Sequence, residues 1–262
     1  MAMKVTFDSN VWRAVADPNR FPNDPMHTAI QRIHNAIRSG QFEGLLAETV
    51  FTLEGIKKVD RKAFFTQYRT QSKISEEEQP DGSIRLGIKM GPDPNAHPGN
   101  NPYLASHLND ALGVGFKLMR CHRVAGVQNP DLRNEWFSSH SSSSVDTAKK
   151  FGEVGRKIEA TGAGIAHIKA IGNRYASPTQ PWFEGLAVAP ASEDAAIARA
   201  VAEWADGDCI SAHIAYSNDF MCTRDTATAA GSNSVFSASN RAWLTSQYGV
   251  RFVNPSELAS HI

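Results

Sequence analysis

Four acidic residues, each at the edge of a different segment, have the types and settings to do chemistry together. They are Asp8 in Lys4-Val-Thr-Phe-Asp-Ser-Asn-Val-Trp12, Glu54 in Leu46-Ala-Glu-Thr-Val-Phe-Thr-Leu-Glu-Gly55, Asp208 opening Asp-Cys-Ile-Ser-Ala-His-Ile-Ala-Tyr216, and Asp225 closing Phe220-Met-Cys-Thr-Arg-Asp225. Three of these segments pass from an apolar, strand-like stretch into an acid or into a helix carrying one. A carboxylate at the end of a buried strand costs desolvation energy unless a cation compensates it. Four converging carboxylates repel one another, and a divalent cation is their natural partner. The chemistry that follows is metal-dependent attack on a phosphodiester. Asn10, Thr223, Asp206, Asp219 and Glu48 stand near the four in sequence as further ligand or supporting groups, with turn, cap and surface roles equally open.

The elements that must position these acids read as an α/β protein. Val5 to Phe7 is a short apolar strand that turns at Asp8-Ser-Asn10. Thr28 to Ser39 places Ile30, Ile33 and Ile37 on one helical face, ended by Gly40. Leu45 to Phe51 suits a buried strand, with a helix starting near Thr52. Ser192 caps a helix bearing Ile197, Ala200, Val201 and Trp204. Asp208 to Tyr216 reads as a separate helix whose N-terminus would favour an ionised Asp208. Phe220 to Thr223 and Val250 to Val253 close the pattern as strands. Strands alternating with helices predict a central, mainly parallel sheet flanked by helices, with ligands at the carboxyl ends of the strands, where Asp8 and Asp225 fall.

Composition narrows the function classes. Lysine plus arginine equals aspartate plus glutamate, 27 each, so any attraction for nucleic acid must be local. Three cysteines without a CxxC pair fit a reduced, cytoplasmic setting. No run approaches the ~20 apolar residues of a membrane span, and no signal-peptide-like stretch opens the chain. The nine histidines lack the spacing of a zinc site, and neither a Walker loop nor a GxSxG elbow is present.

The segments together resemble the PIN-domain nucleases, which include the ribonuclease toxins of toxin–antitoxin pairs. The strand followed by Asp8-Ser9-Asn10 matches one family motif. Ala47, Glu48 and Glu54 match a second, a small residue and a Glu with another Glu on the next helix. Asp208 before Ala212 and Ala215 matches a third, Thr223-Arg224-Asp225 a fourth, and Tyr248-Gly-Val-Arg-Phe-Val-Asn-Pro255 the closing pattern. The resemblance implies a PIN-like catalytic domain formed by residues 1–60 and 186–262. It implies that Asp8, Glu54, Asp208 and Asp225 hold Mg²⁺ or Mn²⁺, and that metal-activated water cleaves single-stranded or structured RNA. It leaves DNA open as substrate, in the manner of structure-specific nucleases of this fold, and leaves open a non-catalytic binding module. An antitoxin protein or a second copy of this chain are the partners it suggests.

Residues 61–185 exceed the compact family pattern and read as an insertion of unknown role. Ile84, Leu86, Ile88 and Met90 alternate there as in a half-buried strand, and Leu104, Leu108, Leu112 and Met119 suggest a helix that Gly113 and Gly115 weaken. Asp146 is placed to cap a helix bearing Phe151, Val154 and Ile158. Lys57, Lys58, Arg61 and Lys62 form a basic run beside Glu54 that could follow a phosphate backbone, or lie on a solvated helix face. Trp136, Phe137, Tyr175, Trp182 and Phe183 are open to base stacking or to packing.

Overall fold

Val5, Thr6 and Phe7 are all fully buried, as expected for a strand covered on both faces of a parallel sheet. The computed structural model describes residues 2–67, 70–92, 102–121, 133–139, 143–226 and 231–262. In chain order the elements are β1 (Met3–Phe7), α1 (Trp12–Ala16), α2 (His27–Arg38), β2 (Phe42–Ala47), α3 (Thr49–Thr52), α4 (Arg61–Gln67), β3 (Thr70–Glu78) and β4 (Ile84–Pro92). They continue as α5 (Pro102–Val114), β5 (Lys117–Met119), α6 (Ser144–Ala160), α7 (Ala166–Tyr175), α8 (Trp182–Val188), α9 (Asp194–Ala215), β6 (Phe220–Cys222), α10 (Ala238–Tyr248), β7 (Phe252–Val253) and α11 (Pro255–Ala259).

Five strands form one sheet in the order β5-β2-β1-β6-β7, and every pairing in it is parallel. The protein is therefore α/β with an all-parallel central sheet between helices. Alternation along the strands divides the core. Val5, Phe7, Leu46, Phe220 and Cys222 face one apolar cluster with α1, α2, α5 and α11. Leu45, Ala47, Met119 and Met221 face the other, with α6, α9 and α10. Thr6 is the polar exception on the second face, where it is bonded to Asn218 Nδ2 at 2.8 Å and to His213 Nδ1 at 2.9 Å. Burial lowers the His213 pKa to about 4, so this pair stays neutral inside the core.

Several expectations are refined. The strand expected from Leu45 is Phe42–Ala47, and the short α3 ends before Glu54, which lies beyond the helix. The two helices expected on either side of Gly207 are one 22-residue helix, α9, in which Asp208 is an interior residue. The glycine is a contact point here. A Cβ on Gly207 would lie 3.0 Å from the Cα of Gly164, so the absent side chain lets α9 lie against the turn after α6. Ser192 lies in the turn before α9, and Ser143, with Asp146 in the first turn, caps α6.

Residues 61–185 are more integrated than a separate insertion. They supply β5 to the main sheet, where Leu45, Leu46 and Ala47 pair with Lys117, Leu118 and Met119, and α5 and α6 to its two cores. Met119, expected on the helix of Leu104 and Leu108, is in this strand, because α5 ends at Val114 before Gly115. The segment that stands apart is the β3–β4 hairpin, a separate two-stranded antiparallel sheet. The expected strand is present as β4, but Ile84 and Leu86 are 65% and 64% exposed rather than half-buried, and the side chains of Ile88 and Met90 lie outside the described residues. The composition of Gly91 to Pro102, rich in proline, glycine and asparagine, and of Ser138 to Ser144, rich in serine, predicts loops; most of the first and part of the second lie outside the described residues. Among the described residues, no helix is long and apolar enough to cross a membrane.

Candidate active site at the strand ends

β1 has β2 on one side and β6 on the other, so the chain changes direction across the sheet at β1. Ligands of open parallel sheets bind at such a point, outside the carboxyl ends of the strands. Asp8 follows β1 directly and is 2% exposed. Its Oδ1 accepts from the Ser9 amide at 2.6 Å, and its Oδ2 accepts from the Thr223 hydroxyl at 2.6 Å. Thr223 stands one residue beyond β6. Its oxygen also accepts from the Asp225 amide at 3.0 Å and from Asn10 Nδ2 at 3.5 Å. The hydroxyl's one proton and both lone pairs are thus engaged. Asn10 Oδ1 completes the link by accepting from the Arg224 amide at 3.1 Å. The Asp8-Ser-Asn and Thr-Arg-Asp segments form one hydrogen-bonded unit across the ends of β1 and β6.

The electrostatics identify which acids share this place. Burial raises the Asp8 pKa to about 6; the Thr223 bond opposes that rise and the charge of Asp225 adds to it. Burial and then the charge of Asp8 raise Glu54 to about 8, with Arg61 and Arg13 pulling the other way. Asp206 is raised well above the ordinary carboxylate range by burial, then by Asp8, Glu54, Glu203 and Asp225. Asp225 itself is exposed, at the open side. Asp8, Glu54 and Asp206 therefore form a buried acidic cluster that also feels the charge of Asp225.

Asp208 is elsewhere. It is 1% exposed and accepts from Trp204 Nε1 at 3.0 Å. Its charge bears on Cys121, whose amide donates to Glu48 Oε2 at 3.0 Å. Two residues along an α-helix are turned by about 200°, so Asp206 and Asp208 occupy opposite faces of α9. The sequence reading placed Asp208 in the cluster because it started a new helix there. In the continuous α9 Asp206 feels the charges of Asp8, Glu54 and Asp225, while Asp208 and Glu48 lie beside Trp204 and Cys121. Asp219 is at the opposite end of β1, accepting from the Lys4 amide at 2.8 Å. Glu203 is likewise structural, accepting from the amides of Gly164 at 3.1 Å and Val235 at 2.6 Å.

The basic run divides as well. Arg61 is 5% exposed and turned inward. It donates to the carbonyls of Ile56 at 3.2 Å, Glu54 at 3.2 Å, and Ala198. It is a clamp between the Glu54 loop and α9, not a surface for nucleic acid. Lys62 donates to the Ala189 carbonyl at 2.5 Å and faces Asp194 at 3.4 Å. Lys57 and Lys58 remain exposed. Among the aromatics, Trp182 packs edge-on to Trp204 with centroids 6.2 Å apart, Tyr175 donates to Glu193 at 2.9 Å, and Arg120 lies 3.8 Å over Phe137.

No family model, curated protein or solved structure matches the chain.

The donor set of the cluster is made of carboxylate oxygens, the preference of Mg²⁺ and Mn²⁺. The repulsion recorded in Asp8, Glu54 and Asp206 is of the sign that a divalent cation relieves. Among the described residues, no three histidine, cysteine, aspartate or glutamate side chains are drawn into a ligating group. The fit is one of donor chemistry and charge. Cys209 adds no nucleophile, because burial and the charge of Asp8 hold its thiol protonated.

Proposed function

We propose that this chain is a divalent-metal-dependent phosphodiesterase of PIN type, acting as an endoribonuclease. The observation that carries the reading is the position of the cluster. Burial raises the proton affinity of Asp8, Glu54 and Asp206 at the strand-end switch point of a parallel sheet, and the charge of neighbouring acids, Asp225 among them, adds to it. Such an arrangement costs stability in isolation and acquires a purpose when a cation is held. Bound Mg²⁺ or Mn²⁺ would supply a lowered pKa to a coordinated water and stabilise charge on the scissile phosphate.

The residues of the chain have distinct parts in this reading. Asp8, Glu54, Asp206 and Asp225 would hold the ion. Thr223 keeps Asp8 Oδ2 in place by donating to it at 2.6 Å. Asn10 ties the Asp225 segment to β1 through the Arg224 amide at 3.1 Å. Arg61 holds the Glu54 loop against α9 through the carbonyls of Glu54 and Ala198. The test is incubation with RNA and DNA panels in Mn²⁺ or Mg²⁺, beside an Asp8→Asn control. Metal-dependent cleavage of RNA that the control lacks is the expected result. Cleavage restricted to DNA would replace the substrate class. Metal binding without cleavage of either would make the chain a binding module.

A further inference from the structure

Ala195, Arg199, Ala202 and Asp206 recur at helical spacing on α9 and share one face of it. Their stripe runs roughly 16 Å at ~1.5 Å per residue and ends on the acidic cluster. The part before Asp206 forms one wall of a groove of about 710 Å³, with Lys58, Val59 and the half-buried Glu54 on the other side. The cations around this groove are in two states. Arg61 is turned inward onto three carbonyls, and Lys62 answers Asp194 at 3.4 Å. Lys58 and Arg199 are exposed, and neither has a hydrogen-bond or ion-pair partner among the described residues.

Two cations in a groove that Glu54 and Asp194 also line do not suit a small anion, which the carboxylates would repel. They suit an anionic chain held along its length, with one linkage presented to the acids. The alanines leave the floor without projecting side chains. Resting on the phosphodiesterase reading above, we infer that this groove takes a single RNA strand, with Lys58 and Arg199 each contacting a backbone phosphate on the side that leads to Glu54 and Asp206. Formal charge on the whole chain is zero, so the attraction is local to this surface.

The test measures anisotropy of a short, unstructured, fluorescent RNA against salt, with Asp8→Asn as background so that the strand survives. Each phosphate contact on a single strand contributes about 0.7 to the slope of log affinity against log salt. Lys58→Gln with Arg199→Gln should therefore flatten that slope by roughly 1.4 and weaken binding at low salt, with an unchanged melting temperature. A control pair on α6, Lys149→Gln with Arg156→Gln, should leave the slope as it was. If the background protein binds RNA and the groove pair changes nothing, or the two pairs act alike, the groove assignment is overturned while the nuclease reading stands. If the background protein binds no RNA, both fall. A single-stranded DNA arm shows whether the groove distinguishes sugars; equal behaviour supports a backbone contact.

Discussion

Asp206 and Asp208, two residues apart on α9, lie on opposite faces of it and serve different ends. Asp206 has its proton affinity raised by burial and then by Asp8, Glu54, Glu203 and Asp225, and Asp208 accepts a buried hydrogen bond from Trp204 at 3.0 Å. The distinction sets a clear experimental contrast. Asp206→Asn should abolish metal-dependent cleavage and leave the folded state intact or stabilised, since one of several repelling charges is removed. Asp208→Leu should instead leave a buried Trp204 N–H without its acceptor and cost about 1–3 kcal/mol. Metal-induced melting shifts and urea unfolding of both variants would measure the two effects. The reverse pattern would return Asp208 to the cluster.

Divalent metal should raise the melting temperature of the wild-type protein. Binding to the folded state alone stabilises it by about 2.7 kcal/mol at a hundredfold excess over the dissociation constant. The shift should be absent in Asp8→Asn and reversed by chelator. Titration calorimetry showing no heat at millimolar Mn²⁺ would contradict the assignment.

Without metal, stability should depend on pH in an unusual direction. Asp8 and Glu54 have ordinary values of 3.8 and 4.5 and folded values of about 6 and about 8. The folded state therefore holds more protons than the unfolded state between these values, and stability falls as pH rises through them. Acidifying chelator-treated protein from about pH 8 to about pH 6 should raise its urea midpoint. Saturating Mn²⁺ should remove the trend or invert it, because ligating carboxylates must be ionised. A metal-free midpoint that stays flat would show that the acids do not repel one another as described.

Thr223→Val keeps the shape of its side chain and removes one donor and one acceptor. Asp8 Oδ2 loses its 2.6 Å bond, the Asp225 amide its 3.0 Å bond and Asn10 Nδ2 its 3.5 Å bond. A loss of about 1.5–3 kcal/mol is expected, together with weaker metal binding. Thr223→Ser should restore the metal binding if the hydroxyl is the group that matters.

Arg61→Met removes a buried cation that serves three carbonyls. At about 1–3 kcal/mol for each polar group left unsatisfied, it should destabilise the protein in urea by at least about 2 kcal/mol. The salt dependence of RNA binding should not change. A flattened slope without loss of stability would restore Arg61 to the surface.

Much of the frame was legible in the sequence, because the signals were local. The run Val5–Phe7, the Ile30, Ile33 and Ile37 face of α2 and the Thr223-Arg-Asp225 exit each declare themselves within a few residues. Asp8, Thr223 and Asn10 were placed together by that reading, and they meet. What could not be read depended on contacts between distant segments. Gly207 has the composition of a helix boundary, and only its approach to Gly164 explains why α9 continues through it. Extending the Ile197, Val201 and Trp204 periodicity across that glycine would have put Asp206 and Asp208 on different faces. Arg61 looked like a surface cation because its three carbonyl partners lie in loops and in a helix 137 residues away. Arg199 was passed over because nothing in the local sequence shows that its side of α9 borders a groove.

Thr70 and Pro92, the first and last residues of the β3–β4 hairpin, are direct cross-strand partners. The chain therefore leaves the body of the protein and returns to it at a single point. Neither strand joins the five-stranded sheet, and no residue of the acidic unit comes from the hairpin. Joining the two ends bridges positions already adjacent, and a short closure has a small entropic cost. The hairpin is thus a replaceable module. It can be trimmed, exchanged or loaded with a tag or probe, leaving the five-stranded sheet and the acidic unit as they are.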